Sequence, residues 1–146
     1  MASAIFRGIC SIVAGLALAI VLIIGLELVS NVVHPFPPDF KGTKEEVCAH
    51  VERYPDWFLG VVVAAWGLTT WISTWVTGRI GNRGCAVLVG LALLAGVIFN
   101  MSMLPYPSWF EVANGVVFPV AIVAGVLAAR RPKTDNAEPG NHVAPA

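Results

Sequence analysis

The chain has 146 residues, of which 57% are hydrophobic and only 12% charged, and its mean hydropathy is +0.76. Soluble domains carry about 25% charged residues, so the composition is that of a membrane protein, and the length allows one compact domain. Nine basic and nine acidic residues cancel to zero net charge, which speaks against a nucleic-acid partner.

A bilayer core of about 30 Å takes about 20 apolar residues as a helix, and helices satisfy their own backbone where lipid cannot. The first such segment covers residues 8–33. It is longer than the apolar core of a signal peptide and no A-x-A site follows, so a retained span is expected. Glu27 interrupts its outer end, with Asn31 and His34 on the same face at i+4 and i+7. Residues 34–56 form a hydrophilic loop. HPFPPDF is extended, because each proline turns its predecessor away from helix. TKEEVCAHVERY then opens with Thr43 and Glu46 at capping-box spacing. Val47, His50, Val51 and Tyr54 fall on one face, which predicts a short amphipathic helix on the membrane surface or over the bundle.

The second span covers 57–76, and the short loop TGRIGNRG leads to a third at 84–104. The tight turn PYP then gives a fourth at 109–129. Two helix entrances look alike, YPDWF at 54–58 and YPSWF at 106–110. They fit either a duplicated hairpin or a recurrent way of entering a membrane. Ser108 and Glu111 have capping-box spacing, which gives Glu111 a local role at the outer face. Residues 132–146 lack apolar periodicity and read as a disordered tail, which leaves 1–131 as the transmembrane domain.

Orientation follows the basic residues. Arg7, Arg79, Arg83, Arg130, Arg131 and Lys133 flank one side of the four spans. The expected arrangement is a multi-pass protein of the inner cell membrane with both termini cytoplasmic and the 34–56 loop outside.

The fold class expected is therefore all-α, a four-helix transmembrane bundle with one short extracytoplasmic helix. Counting 1.5 Å per residue, Asn100 and Asn114 lie roughly 7–9 Å below the outer turn, and Glu27 lies at nearly the same depth. Glu27, Asn31, Asn100 and Asn114 are the candidate intramembrane polar cluster, and His34 and Glu111 are candidates at the outer face. Three settings are open to Glu27: an ion or proton site, a polar clamp holding helices in register, or a side chain reaching the headgroups.

Cys10, Cys48 and Cys85 form no C-x-x-C, and His34, His50 and His142 are scattered. No nucleophile–base pair stands out. The expectation is a non-enzymatic protein without metal or cofactor.

An acid late in the first span, a PFPP turn, an aromatic entrance and N-M-x-M-x-P-x-P-x-W-F together resemble small, uncharacterised four-helix bacterial integral membrane proteins. The resemblance covers most of the chain and implies no activity. Small multidrug transporters share only the four spans and an acid in the first; their loops are short and their residues around the acid are absent here. The first reading is an accessory or structural membrane protein in the lipid bilayer, compatible with a homo-oligomer or a larger membrane complex. The alternative is a small proton- or ion-coupled transporter or channel using Glu27.

Overall fold

A computed structural model describes residues 2–129, and the tail expected at 132–146 lies outside the described residues. The described chain is all-helical: α1 (Ala2–Val33), α2 (Lys44–Val51), α3 (Asp56–Ile80), α4 (Arg83–Met103) and α5 (Ser108–Ala128). Four of them, α1, α3, α4 and α5, are long and apolar enough to cross a membrane. The bundle is centred on α3, which packs against α1, α4 and α5, while α4 also touches α1 and α5.

The helix ends follow from local chemistry. Pro35 disfavours helical backbone at His34, and α1 stops at Val33. Leu104 precedes Pro105 and turns extended, with φ −122° and ψ 142°, which ends α4. Asn82 starts α4 by accepting the Cys85 N–H at 3.0 Å. The Thr43–Glu46 capping box forms as its spacing predicts: Thr43 Oγ1 accepts from the Glu46 N–H, and Glu46 Oε2 accepts from the Thr43 N–H. Glu46 Oε2 also accepts the Lys41 N–H at 2.9 Å. These backbone donors, Lys41 first, hold the Glu46 carboxyl below its ordinary value.

The Ser108–Glu111 box does not form. Pro107 is the N-cap of α5, and no side chain caps it. The helix begins at Ser108 itself, so that hydroxyl is one residue too late to cap, and the Glu111 N–H bonds to the Pro107 carbonyl at 3.3 Å. Glu111 is left exposed on the helix surface.

The two look-alike entrances share a geometry. Pro55 and Pro107 are both extended N-caps, with φ −68° and −62°. Tyr54 stacks on Phe58 and Tyr106 on Phe110, at 5.7 and 4.6 Å between ring centroids. Trp57 and Trp109 meet the same two phenylalanines edge-on. Phe58 and Phe110 are buried in one core with Leu59, Val62 and Val63.

Deeper in the bundle the helices approach through small residues, as lipid-embedded helices do. Ser11, Gly15 and Ala19 are the buried seam of α1, spaced four apart. A Cβ on Gly15 would run into the Thr77 side chain and lie 3.2 Å from the Ser73 carbonyl. Gly125 of α5 seats against Thr74 and the Trp71 carbonyl, and Gly90 of α4 against Ile122. The hydroxyls on α3 serve this packing. Thr70, Thr74 and Thr77 donate back to the carbonyls of Trp66, Thr70 and Ser73 at 2.7–2.9 Å, so they present no free polar row.

Candidate functional site

Above this sealed half the bundle loosens. The window of α1 with hydropathy 2.9 is only 17% buried, and its outer half leaves space against α3 and α4. Two cavities occupy that space. The inner one, of about 300 Å³, is walled by Glu27 of α1, Trp66, Thr69 and Thr70 of α3, Asn100 of α4 and Phe118 of α5, with aliphatic groups between them. The outer one, of about 160 Å³, lies beneath α2 and adds Ser30, His50, Tyr54 and Tyr106. Glu27, Trp66 and Asn100 belong to both, so the two cavities meet at the acid.

Each expected site residue has a definite place. Glu27 and Asn100 come together on the cavity wall. Glu27 is an exposed residue of α1, and no hydrogen bond to its carboxylate forms among the described residues. Asn100 Oδ1 is buried without a partner. Asn114 is fully buried, but its Nδ2 donates to the Phe110 carbonyl at 2.9 Å and it lines neither cavity. Asn31 is exposed and also lines neither. Ser30, one residue earlier, turns inward and hydrogen-bonds the Tyr54 hydroxyl.

His34 does not reach the cavity wall. It stacks on His50 at 4.3 Å and tilts against Tyr54 at 4.7 Å, with its Nε2 3.3 Å from the His50 carbonyl. Phe36 covers the His50 ring at 4.1 Å. His50 is 6% exposed, and its Nε2 is buried without a partner. These rings fix α2 over the outer cavity like a cap.

The electrostatics of the vestibule are one-sided. Neither lysine nor arginine lines either cavity. Burial and, second, the Glu27 charge push the Tyr106 phenol up to about 12, with Tyr54 adding a smaller effect. Burial, followed by the charges of His34 and Arg53, pulls His50 below the ordinary histidine value of 6.5. His50 therefore stands in the cap as a neutral ring at pH 7.

The depressed His50 value has a consequence for pH. A base with a lower pKa folded than unfolded contributes stability above its unfolded value, and that contribution is lost as pH falls toward the folded one. The α2 cap should hold above about pH 6.5 and loosen below it. Backbone amide exchange of residues 44–51 measures this. Faster exchange at pH 5 than at pH 7, after correction for intrinsic rates, is the expected result, and His50→Phe should remove the difference. Equal protection at both values would contradict it.

Ser30, His50, Tyr54 and Tyr106 are not among the site candidates read from the sequence, which places His50 and Tyr54 only on the amphipathic face of the loop helix. Ser30 had a signal, a hydroxyl three residues from Glu27 in an otherwise aliphatic stretch. Among the described residues no group of three or more histidine, cysteine or carboxylate side chains could hold a metal ion. No protein-family model, curated protein or solved structure matches the chain.

Proposed function

We propose that this protein is a small proton- or ion-coupled membrane transporter or channel in which Glu27 is the titrating group. One observation carries the reading: a carboxylate without a hydrogen-bond partner stands where an outer and an inner cavity meet. A structural clamp would place amide donors on that carboxylate, whereas Glu27 is exposed on α1 and accepts no hydrogen bond from another helix among the described residues. An intramembrane acid facing a cavity is the setting of proton and ion sites.

The test is flux in proteoliposomes. Glu27→Gln keeps shape and removes the charge. It should fold within about 0.5 kcal/mol of the parent, as a change that breaks no hydrogen bond should, yet abolish pH-driven flux. Wild-type liposomes without any pH-dependent flux would overturn the reading.

A second reading, an accessory or structural membrane component, has its own support. The half of the bundle beyond Thr70 is closed by Ser73, Thr74 and Thr77, all fully buried. A continuous pore is therefore not built into this conformation, and transport would require α1, the least buried span, to move. Absent flux together with a stable co-purifying membrane protein would favour this second reading.

The proposed setting is a bacterial inner membrane, with both termini in the cytoplasm. The asymmetry of Arg7, Arg79 and Arg83 against the mixed-charge 34–56 loop supports it. A C-terminal fusion to a reporter active only inside the cell should be active. An inactive fusion with normal insertion would reverse the topology.

A further inference from the structure

Away from the vestibule, an apolar groove of about 470 Å³ opens on the outer surface of the bundle between α3 and α5. Its walls include Gly67, Leu68 and Trp71 of α3 and Val116, Val120 and Ala124 of α5. Gly67 already seats against Val117, where a Cβ would run into the valine side chain, so α3 and α5 cannot close the groove by moving together. Empty space against its walls would forfeit dispersion contacts. At Trp71 the groove continues toward the end of α3. Trp71 stacks on Trp75, with ring centroids 6.4 Å apart and planes at 10°, and the Arg79 guanidinium lies 6.0 Å from the Trp75 centroid. The three residues recur every four positions and share one face of α3, and all are exposed. Arg79 stands one residue before the end of the span at Ile80, where tryptophan and arginine anchor a helix at the membrane interface. Charge at this end is one-sided. It carries Arg7, Arg79 and Arg83, while every Asp and Glu of the described residues falls within 27–56 or at 111, in the other half of the bundle.

We propose that this face is a binding site for one anionic phospholipid, its phosphate held by Arg79 beside Trp75 and one acyl chain lying along Trp75 and Trp71 into the groove between α3 and α5. The dimensions fit. One leaflet is about 15 Å deep, half of a bilayer core of about 30 Å. Counted from Arg79 at 1.5 Å per residue, that depth ends roughly ten residues up α3, beside Leu68 in the groove. The chemistry fits as well. A guanidinium pairs bidentately with a phosphate, and its five N–H donors let it do so while holding other contacts. Basic sites between transmembrane helices at the membrane surface are where anionic headgroups bind. A zwitterionic lipid offers the same phosphate but brings its own cation to an end of the bundle that is already basic. The site is separate from Glu27, and it holds whichever side of the membrane Arg79 faces.

The test uses the full chain in phosphatidylcholine nanodiscs. The probe is phosphatidylglycerol brominated in the middle of its acyl chains, which quenches nearby tryptophan, and phosphatidylcholine brominated in the same way is the control. Quenching by the anionic lipid should saturate at about fivefold lower mole fraction than quenching by the zwitterionic one, the scale of one arginine at a membrane surface. Trp71→Phe should remove most of the saturable quenching. Arg79→Ala should abolish the preference for the anionic lipid. Arg83→Ala removes the same charge from α4 at the same end of the bundle and should leave the preference in place. Equal quenching by the two lipids would overturn the headgroup assignment. Loss of the preference in Arg83→Ala as large as in Arg79→Ala would reduce it to diffuse attraction and refute the site. Saturable quenching that survives Trp71→Phe unchanged would put the acyl chain elsewhere. Absence of saturable quenching would also refute the proposal, and a dimeric mass in the discs would then name a second copy of the chain as the occupant of the groove. The comparison of the two lipids on the wild-type chain stands even if a variant fails to fold.

Discussion

Replacing Gly125 with alanine is expected to destabilise the bundle by on the order of 1–3 kcal/mol, the cost of overpacking a close contact. A Cβ at this position would lie 2.7 Å from the Trp71 carbonyl and against the Thr74 side chain. A side chain can rotate away; the α3 backbone carbonyl cannot without separating the two helices. Alanine favours helix over glycine by about 1 kcal/mol, so the contact must outweigh that gain for the protein to lose stability. Gly60 and Gly115 provide the control, because a Cβ at either meets nothing within 4 Å. Gly60→Ala and Gly115→Ala should be neutral or slightly stabilising. Thermal unfolding in detergent micelles separates the two outcomes. An unchanged midpoint for Gly125→Ala would mean that α3 and α5 do not approach this closely.

This contrast also shows what a sequence can and cannot reveal here. Gly60 with Ala64, Ala92 with Gly96 and Gly125 with Ala129 all have the spacing of a close helix contact. Only the last pair is buried; Gly60 faces open space, and Ala92 and Gly96 border the inner cavity. Spacing fixes which residues share a face, and the partner of that face is a property of the assembled bundle. The same distinction separates Asn100 from Asn114. Their depth could be counted from the outer turn at 1.5 Å per residue, and both lie in the outer part of their helices. Their facing could not be counted. Asn100 meets the cavity, whereas Asn114 turns back to its own helix at Phe110.

Signals written within one element were far more legible. The four spans follow from apolar runs about as long as a bilayer is thick, interrupted only by Glu27 in the first and Glu111 in the fourth, and the prolines at 35, 55, 105 and 107 mark their ends. The Thr43–Glu46 box and the Val47–His50–Val51 face both emerge as read. The identical spacing at Ser108–Glu111 fails because Pro107 takes the N-cap position. A capping box thus depends on where the helix starts, one residue deciding between a bonded and an exposed Glu111. Ser11, Gly15 and Ala19 were hidden for a different reason. Within a run so rich in aliphatic and small residues, Ser11 is the seam's one polar label and does not by itself mark a face, which becomes visible only against Ser73 and Thr77.

The two aromatic entrances set up the other large effect. Phe58→Ala and Phe110→Ala should each cost about 3 kcal/mol, near the low end for deleting a buried phenylalanine. The low end is appropriate because burial from lipid carries little hydrophobic driving force, which leaves lost packing as the main term. Phe110 should cost more than Phe58. Its ring is 0% exposed, and besides Tyr106 and Trp109 it receives the edge of Trp66 at 5.6 Å. Trp66 walls both cavities, so Phe110→Ala should also weaken whatever the site binds, while Phe58→Ala should act mainly on stability. Because both rings share one core, the double variant should depart from additivity by about 0.5 kcal/mol or more. Chemical unfolding of the two single variants and the double variant in micelles measures all three quantities. Strict additivity, or a Phe58→Ala cost well above that of Phe110→Ala, would show that the entrances pack as separate units and that Trp66 does not depend on Phe110 for its position.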